Sequence, residues 1–114
     1  MSDLNLENIK KFCDWLREAE EQGIRQISGS YRRYDPETDA ECYCALGICA
    51  NKLKPDFLNS TILEEILQFF AAENAPTLDI SRLFCNRVVH LNDTYYKSFK
   101  EIADILEEQY LSSK

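Results

Sequence analysis

Apolar residues recur at helical spacing along much of this 114-residue chain. The first such stretch covers about 6–22 and predicts an amphipathic helix with a charged outer face. Asp3 or Asn5 is predicted to cap this helix, and Gly23 is predicted to end it. Its buried face is predicted to hold Leu6, Ile9, Phe12, Cys13, Leu16 and Ala19.

The same spacing predicts four more helices. They are expected over 45–53, from Thr61 to about Glu73, from Asp79 or Ser81 to about Leu91, and from Ser98 to about Tyr110. Two of them begin with the capping-box spacing, in which a hydroxyl and a carboxylate satisfy the first amides of a helix. These pairs are Thr61 with Glu64 and Ser98 with Glu101. Asn92 and Asp93 are predicted to form a turn between the last two helices.

Between the first two helices the pattern changes to one typical of strands. Residues 31–34 and 41–44 carry strand-favouring side chains, and the turn-forming run 35–39 separates them. They predict one small antiparallel β-hairpin, which must pack on the helices to be stable. Residues 1–114 are therefore predicted to form a single domain of the α+β class, mostly helical, with about five helices and one hairpin.

Composition narrows the classes of function. The net charge of −7 disfavours a nucleic-acid binder, because neutralising phosphates requires a basic surface. The start of the chain lacks the basic and apolar regions of an export signal, and the apolar runs are shorter than a membrane span. Five cysteines without such a signal indicate reduced thiols in a cytoplasm, and their odd number argues against a disulfide framework.

The cysteines raise the question of a metal site. The residues that together offer zinc ligands are Cys42, Cys44, Cys85 and His90. Their spacing differs from that of the paired cysteines in familiar zinc sites, and cysteine is among the residue types most often buried. We therefore predict structural thiols, with no metal and no cofactor.

A second interpretation is nucleophilic catalysis. Cys44 directly precedes a predicted helix, and a helix N-terminus lowers the pKa of a thiol. His90 is a candidate base, and Asn92 or Asp93 a candidate to orient it. The chain is short for a fold that must build a substrate cleft around three separated groups. The prediction is therefore a protein that is not an enzyme, with a thiol hydrolase using Cys44, His90 and Asp93 as the alternative.

The stretch 31–34 is the only local basic patch with aromatic neighbours. Arginine forks can hold phosphate, and tyrosine rings can stack on bases. Alternation along a strand places Arg32 and Arg33 on opposite faces, so only one of them can face a given ligand. The candidate residues for binding a small anionic ligand, such as a nucleotide signal, are Tyr31, Arg32, Arg33, Asn92 and Asp93.

Three segments carry a resemblance to known proteins. They are Cys-Ala-Leu-Gly-Ile-Cys at 44–49, Leu-Asn-Asp at 91–93 and Ser-Phe-Lys-Glu-Ile-Ala-Asp at 98–104. They resemble a family of small tailed-phage and prophage proteins that has a mid-chain Cys-Leu-Gly segment and a C-terminal Leu-Asn-Asp plus Ser-Phe-x-Glu-Ile-Ala-Asp segment. That family has no established activity, so the resemblance implies an origin and not a mechanism. Ala45 and His90 depart from its pattern, and the departure at His90 weakens the thiol-hydrolase interpretation.

The resulting prediction is a non-enzymatic binding protein of phage or mobile-element type in the bacterial cytoplasm. It is expected to act on a host protein or as a counter-defence factor, with sequestration of a small anionic ligand as an alternative. A role in protein interaction predicts an exposed apolar patch or a homo-oligomer. The candidate contact residues are Phe69, Phe70, Tyr95, Tyr96 and Tyr110.

Overall fold

The computed structural model describes residues 3–112, which contain five α-helices, two strands and two π-helical turns. The helices are α1 (Leu6–Glu21), α2 (Ala45–Leu53), α3 (Leu63–Phe70), α4 (Asp79–Val89) and α5 (Phe99–Leu106). The strands, β1 (Arg32–Asp35) and β2 (Ala40–Tyr43), form one antiparallel sheet. The π-helical turns His90–Thr94 and Glu107–Leu111 extend α4 and α5. The predicted α+β class, mostly helical with one hairpin, is confirmed. Across residues 3–112, every helix is too short or too polar to cross a membrane.

Helices α1 and α5 pack along their lengths and form the most extensive helix pair. Inside this interface the thiol of Cys13 donates a hydrogen bond to the carbonyl of Ala103 at 3.6 Å. At its edge, the guanidinium of Arg17 pairs with the carboxylates of Asp104 and Glu107, each at 2.8 Å. The interface joins the two ends of the chain around one apolar core.

The predicted starts of these two helices are confirmed. The side chain of Asn5 caps α1 by accepting a hydrogen bond from the amide of Asn8 at 3.0 Å. Ser98 and Glu101 form the complete capping box at the start of α5. Both caps join residues three positions apart, which is why local sequence predicts them.

Helix α3 is shorter at both ends than predicted. Thr61 lies in a preceding turn, where its amide donates to the carbonyl of Leu58 at 3.1 Å. The described residues supply no side-chain cap to α3, so the predicted capping box is wrong. At the other end, the amide of Asn5 donates to the carbonyl of Phe70 at 2.8 Å. This long-range hydrogen bond lies at the end of the helix, which stops at Phe70 and not near Glu73.

Helix α4 also begins without either predicted cap. Leu78 occupies the N-cap position, and the amide of Asp79 donates to the hydroxyl of Thr77 at 3.2 Å. Ser81 is buried inside the helix, where its hydroxyl donates to the carbonyl of Leu67 at 2.6 Å. A serine predicted to start the helix instead ties α4 to α3.

Aromatic rings fill the centre of the core and its edge. The ring of Phe70 is fully buried and meets that of Phe84 with centroids 4.7 Å apart, and Phe84 meets Tyr110 at 5.0 Å. Phe69 stacks on Trp15 at 5.4 Å. Such pairs add about 0.5–1.5 kcal/mol each beyond their buried area. Of the predicted contact residues, Phe69, Phe70 and Tyr110 therefore belong to the core or its edge.

The predicted hairpin is present, with each strand displaced by one residue from the predicted segments, and it pairs from Arg32 opposite Tyr43 to Asp35 opposite Ala40. The preceding segment runs alongside β2, where the amide of Ile27 donates to the carbonyl of Tyr43 at 3.0 Å. A two-stranded hairpin is marginal alone, and this contact joins it to the loop that leads into β1.

The junction between β2 and α2 depends on a close approach of two backbones. A Cβ atom added to Gly47 would lie 1.8 Å from the carbonyl oxygen of Tyr31. The amide of Cys44 donates to the same oxygen at 3.2 Å. A glycine within a helix costs about 1 kcal/mol relative to alanine, so its presence here needs a packing reason. That reason is the close approach of the Tyr31 backbone, which leaves no room for a side chain at position 47.

Replacing this glycine tests that constraint. Gly47→Ala is expected to lower the free energy of unfolding by roughly 3 kcal/mol or more, because the new methyl group meets rigid backbone atoms. Urea unfolding followed by circular dichroism measures the loss. Lys52→Ala on the same helix removes an exposed ion pair with Glu18, 3.0 Å long, and should cost at most about 1 kcal/mol. Equal stability of the two variants would contradict the close approach.

Candidate functional site

A cleft of about 340 Å³ opens where the loop 29–31, the start of α2 and the end of α4 meet. We call it the Asp93 cleft. Of the five predicted ligand-binding residues, Tyr31, Asn92 and Asp93 line it. Cys44, the predicted alternative nucleophile, lines it as well. Sequence analysis did not identify Asn59, whose side chain completes the wall from the α2–α3 connection.

Asn92 is 3% exposed, and its carboxamide bonds four groups at the base of the cleft. Its oxygen accepts hydrogen bonds from the amide of Ala45 at 3.1 Å and from Nε2 of Gln26 at 2.6 Å. Its nitrogen donates to the carbonyl of Ile27 at 2.8 Å and to Oδ1 of Asp93 at 2.6 Å. The first amides of a helix have no acceptor within the helix. Asn92, although distant in the sequence, supplies an acceptor for one of these amides in α2, that of Ala45.

The π-helical turn His90–Thr94 positions these side chains. The amide of Tyr95 donates to the carbonyl of His90 at 3.1 Å. In an α-helix this amide would donate to the carbonyl of the next residue, Leu91, so the turn is wider by one residue. Within this wider turn Asn92 is buried, while Asp93 is half-buried at the cleft. Asn92 and Asp93 were predicted to link two helices. They lie instead in the continuation of α4, and the link to α5 follows at 95–98.

The carboxylate of Asp93 is held by the loop opposite it. Its Oδ2 accepts a hydrogen bond from the amide of Gly29 at 3.3 Å. Gly29 has a φ of +87°, which is in the left-handed region that glycine adopts at low cost. Among the described residues that line the cleft, Asp93 is the only charged one. The cleft therefore carries negative charge in a protein whose net charge is already −7.

The thiol of Cys44 is 7% exposed and serves as the N-cap of α2. Its sulfur accepts a hydrogen bond from the amide of Gly47 at 3.3 Å. Burial raises the pKa of this thiol to about 11, and the Asp93 carboxylate adds to the rise, although the helix amides oppose it. The predicted lowering of the Cys44 pKa is therefore wrong, because desolvation outweighs the helix N-terminus.

His90 lies outside the cleft. It is exposed, and its ring packs edge-on against that of Tyr95 with centroids 6.1 Å apart. Thus the cleft contains Cys44 and Asp93 from the alternative catalytic set, but the histidine proposed as the base is not among the residues that line it. Chain order alone could not predict this position of His90.

The alternative zinc ligands are also kept apart. Within residues 3–112, no three His, Cys, Asp or Glu side chains form a group that could hold a metal ion. Cys42 and Cys85 are buried in the core, whereas His90 is exposed. All five cysteines lie in the described part of the chain and are buried free thiols.

Arg32 and Arg33 lie outside the Asp93 cleft. The guanidinium of Arg32 sits over the ring of Phe57, 4.1 Å from its centroid, and donates to the carbonyls of Pro55 and Phe57 at 2.8 and 2.6 Å. Arg33 is exposed and lines a separate surface depression with Tyr34. The predicted opposite orientation of the two arginines agrees with these positions. However, the structure does not bring them together with Tyr31, Asn92 and Asp93.

Comparisons of the chain with protein-family models, with curated protein sequences and with solved structures gave no match. The resemblance to the phage and prophage family stays a prediction. Function is therefore inferred from the residues of the Asp93 cleft and the surface around it.

Asn92→Ala is expected to lower the free energy of unfolding by about 2–4 kcal/mol, because buried groups that bond its carboxamide lose their partner. Hydrogen exchange at the amide of Ala45 should accelerate in parallel. Asn86→Ala, at an exposed position of α4, serves as the control and should change stability by roughly 0.5 kcal/mol or less. A similar small loss in Asn92→Ala would show that its carboxamide does not support the start of α2.

The raised pKa of Cys44 predicts slow alkylation. With a pKa of about 11, roughly one thiol in a thousand is ionised near pH 8, so iodoacetamide should label Cys44 far more slowly in the folded than in the urea-unfolded protein. Between pH 8 and 10 the folded-state rate should rise about tenfold per pH unit while the protein stays folded. Mass spectrometry of the labelled peptide measures it.

His90→Ala is the accompanying variant, and it should leave the labelling rate of Cys44 unchanged. Rapid labelling near pH 7 that slows in His90→Ala would instead show that the histidine activates the thiol.

Proposed function

We propose that the protein is a non-enzymatic binding protein of phage or mobile-element type. It acts in the bacterial cytoplasm, on a host protein or as a counter-defence factor, and the Asp93 cleft is its partner-binding site. The observation that supports binding over catalysis is the state of the groups around the cleft. Cys44 is held as a neutral helix cap, and His90 lies outside. Polar atoms of Asp93 and Asn59 converge there beside apolar walls, which is the composition of a binding site.

A protein partner is supported by the surface near the cleft. Val89 lines the cleft and is 37% exposed, and Leu58, next to Asn59, is 64% exposed. Beyond Asn92, Tyr96 is 78% exposed and has a φ of +55°, which costs a non-glycine residue about 1 kcal/mol. Exposed apolar and aromatic side chains near a recess with apolar walls are typical of protein interfaces.

A small ligand is a second candidate, which the size of the cleft favours. Its volume of about 340 Å³ lies within the range of small-molecule sites. The charge argues against an anion, because Asp93 would repel it and the predicted arginines lie elsewhere. A small ligand of this cleft is therefore neutral or cationic, which differs from the anionic ligand expected from the sequence.

Two tryptophan variants on one helix test the cleft. Val89→Trp places a large ring in the cleft, whereas Leu83→Trp changes an exposed residue of α4 outside it. With the tagged protein as bait in bacterial lysate, quantitative mass spectrometry should show the same partner with wild type and Leu83→Trp. Recovery with Val89→Trp should fall by about tenfold or more, because the ring would block the contacts made in the cleft and the loss of a hot-spot contact costs about 2 kcal/mol or more.

Equal recovery by all three proteins would contradict the cleft as the binding site. A metabolite extract that raises the melting temperature of wild type and Leu83→Trp, but not of Val89→Trp, would favour the small-ligand candidate.

A further inference from the structure

We propose that the Asp93 cleft recognises an arginine side chain presented by a protein partner. This inference rests on the proposed function and adds the chemical group that the cleft selects. Three properties of the cleft support it: its charge, the unused acceptor positions of its polar atoms, and its apolar walls.

Charge is the first property. Asp93 provides the only formal charge among the described residues lining the cleft, and the whole chain carries −7. A cation that enters meets no repelling lysine or arginine in that lining. Complementary charge of this kind steers association and excludes anionic competitors.

The acceptor geometry is the second property. Oδ1 of Asp93 accepts one hydrogen bond from Asn92, and Oδ2 accepts one from the amide of Gly29. A carboxylate has about four acceptor positions, so each oxygen retains one. A carboxylate with a free position on each oxygen can accept the planar fork of a guanidinium, which binds through two parallel N–H groups.

Asn59 adds a further acceptor. Its Nδ2 donates to the backbone carbonyl of Arg32 at 3.0 Å, which fixes the carboxamide and leaves Oδ1 as an acceptor. A guanidinium has five donors and can serve several acceptors at once, whereas a lysine ammonium is a compact point charge. Acceptors on two sides of the cleft therefore favour arginine over lysine.

The walls are the third property. Leu46 and Val89 line the cleft with aliphatic groups, and Tyr31 contributes an aromatic side chain. The methylene stem of an arginine packs well on aliphatic surface, and its guanidinium stacks on aromatic faces. The protein already holds one of its own arginines in this way, since Arg32 lies over Phe57 and donates to two carbonyls.

Nuclear magnetic resonance titration of the ¹⁵N-labelled full chain tests the inference. The probes are N-acetyl-arginine amide and N-acetyl-citrulline amide, which have nearly the same shape but differ in charge. The arginine probe should produce saturable shifts at Gly29, Asp93 and the Asn59 side chain, with a dissociation constant on the order of 1 mM. The citrulline probe should bind about tenfold more weakly or not at all, and N-acetyl-lysine amide should fall between the two.

Three variants locate the charge effect. Asp93→Asn keeps an acceptor but removes the charge, and it should weaken arginine binding about tenfold or more. Val89→Lys, which adds an ammonium group at the cleft wall, should weaken it as well. Leu83→Lys makes the same charge change on an exposed part of α4 outside the cleft, and it should bind as wild type does. A dispersed spectrum confirms that each variant is folded.

Equal binding of arginine and citrulline, or an absence of saturable shifts, would overturn the inference. Binding of agmatine without binding of capped arginine would also overturn it, because the occupant would then be a free small guanidinium compound. If the arginine probe fails while Val89→Trp still abolishes partner recovery, the cleft binds its partner through another group. If the probe binds but partner recovery does not depend on the cleft, the proposed function itself is wrong.

Discussion

The segments that form the Asp93 cleft depend on the hydrogen bonds of one buried group, the carboxamide of Asn92. It closes the start of α2 through Ala45, anchors the loop before β1 through Ile27, and orients the carboxylate of Asp93. A buried carboxamide is costly unless its donors and acceptors are used, and within residues 3–112 every buried side-chain nitrogen and oxygen has a partner. The position of Asn92 therefore fixes three chain segments relative to one another. The Asp93 cleft is the space that these segments enclose.

Residues with reactive chemistry serve structural roles around this network. The thiol of Cys44 completes the start of α2, and its burial keeps the proton on sulfur. Arg32 uses its guanidinium to hold the carbonyls before α3. The result is a cleft whose only charged group among the described lining residues is the carboxylate of Asp93, which lies with the carboxamide of Asn59 and the hydroxyls of Ser30 and Tyr31. Such a cleft is suited to recognising a donor, whereas nucleophilic attack would require an ionised thiol or a nearby base.

Local signals explain what could be predicted from the sequence. The helix class, the hairpin and the caps at Asn5 and Ser98 depend on residues a few positions apart, and the structure contains all of them. The ends of α3 and the role of Ser81 depend on contacts with distant segments, which periodicity does not report. Asn92 and Asp93 were recognised as turn-forming residues. Their meeting with Gln26 and Gly29 required the tertiary fold, and so did the position of His90 outside the lining of the cleft.

The bond between Gly29 and Asp93 spans 64 positions of the chain. Contacts of such long sequence separation pay a loop-closure entropy before they form, so they slow folding. The walls of the cleft are thus parts of the chain that only the completed fold holds together. An occupant that contacts both walls would crosslink two segments that lie far apart in the sequence. Besides filling a recess on the surface, it would slow the local unfolding of the segments that form the cleft.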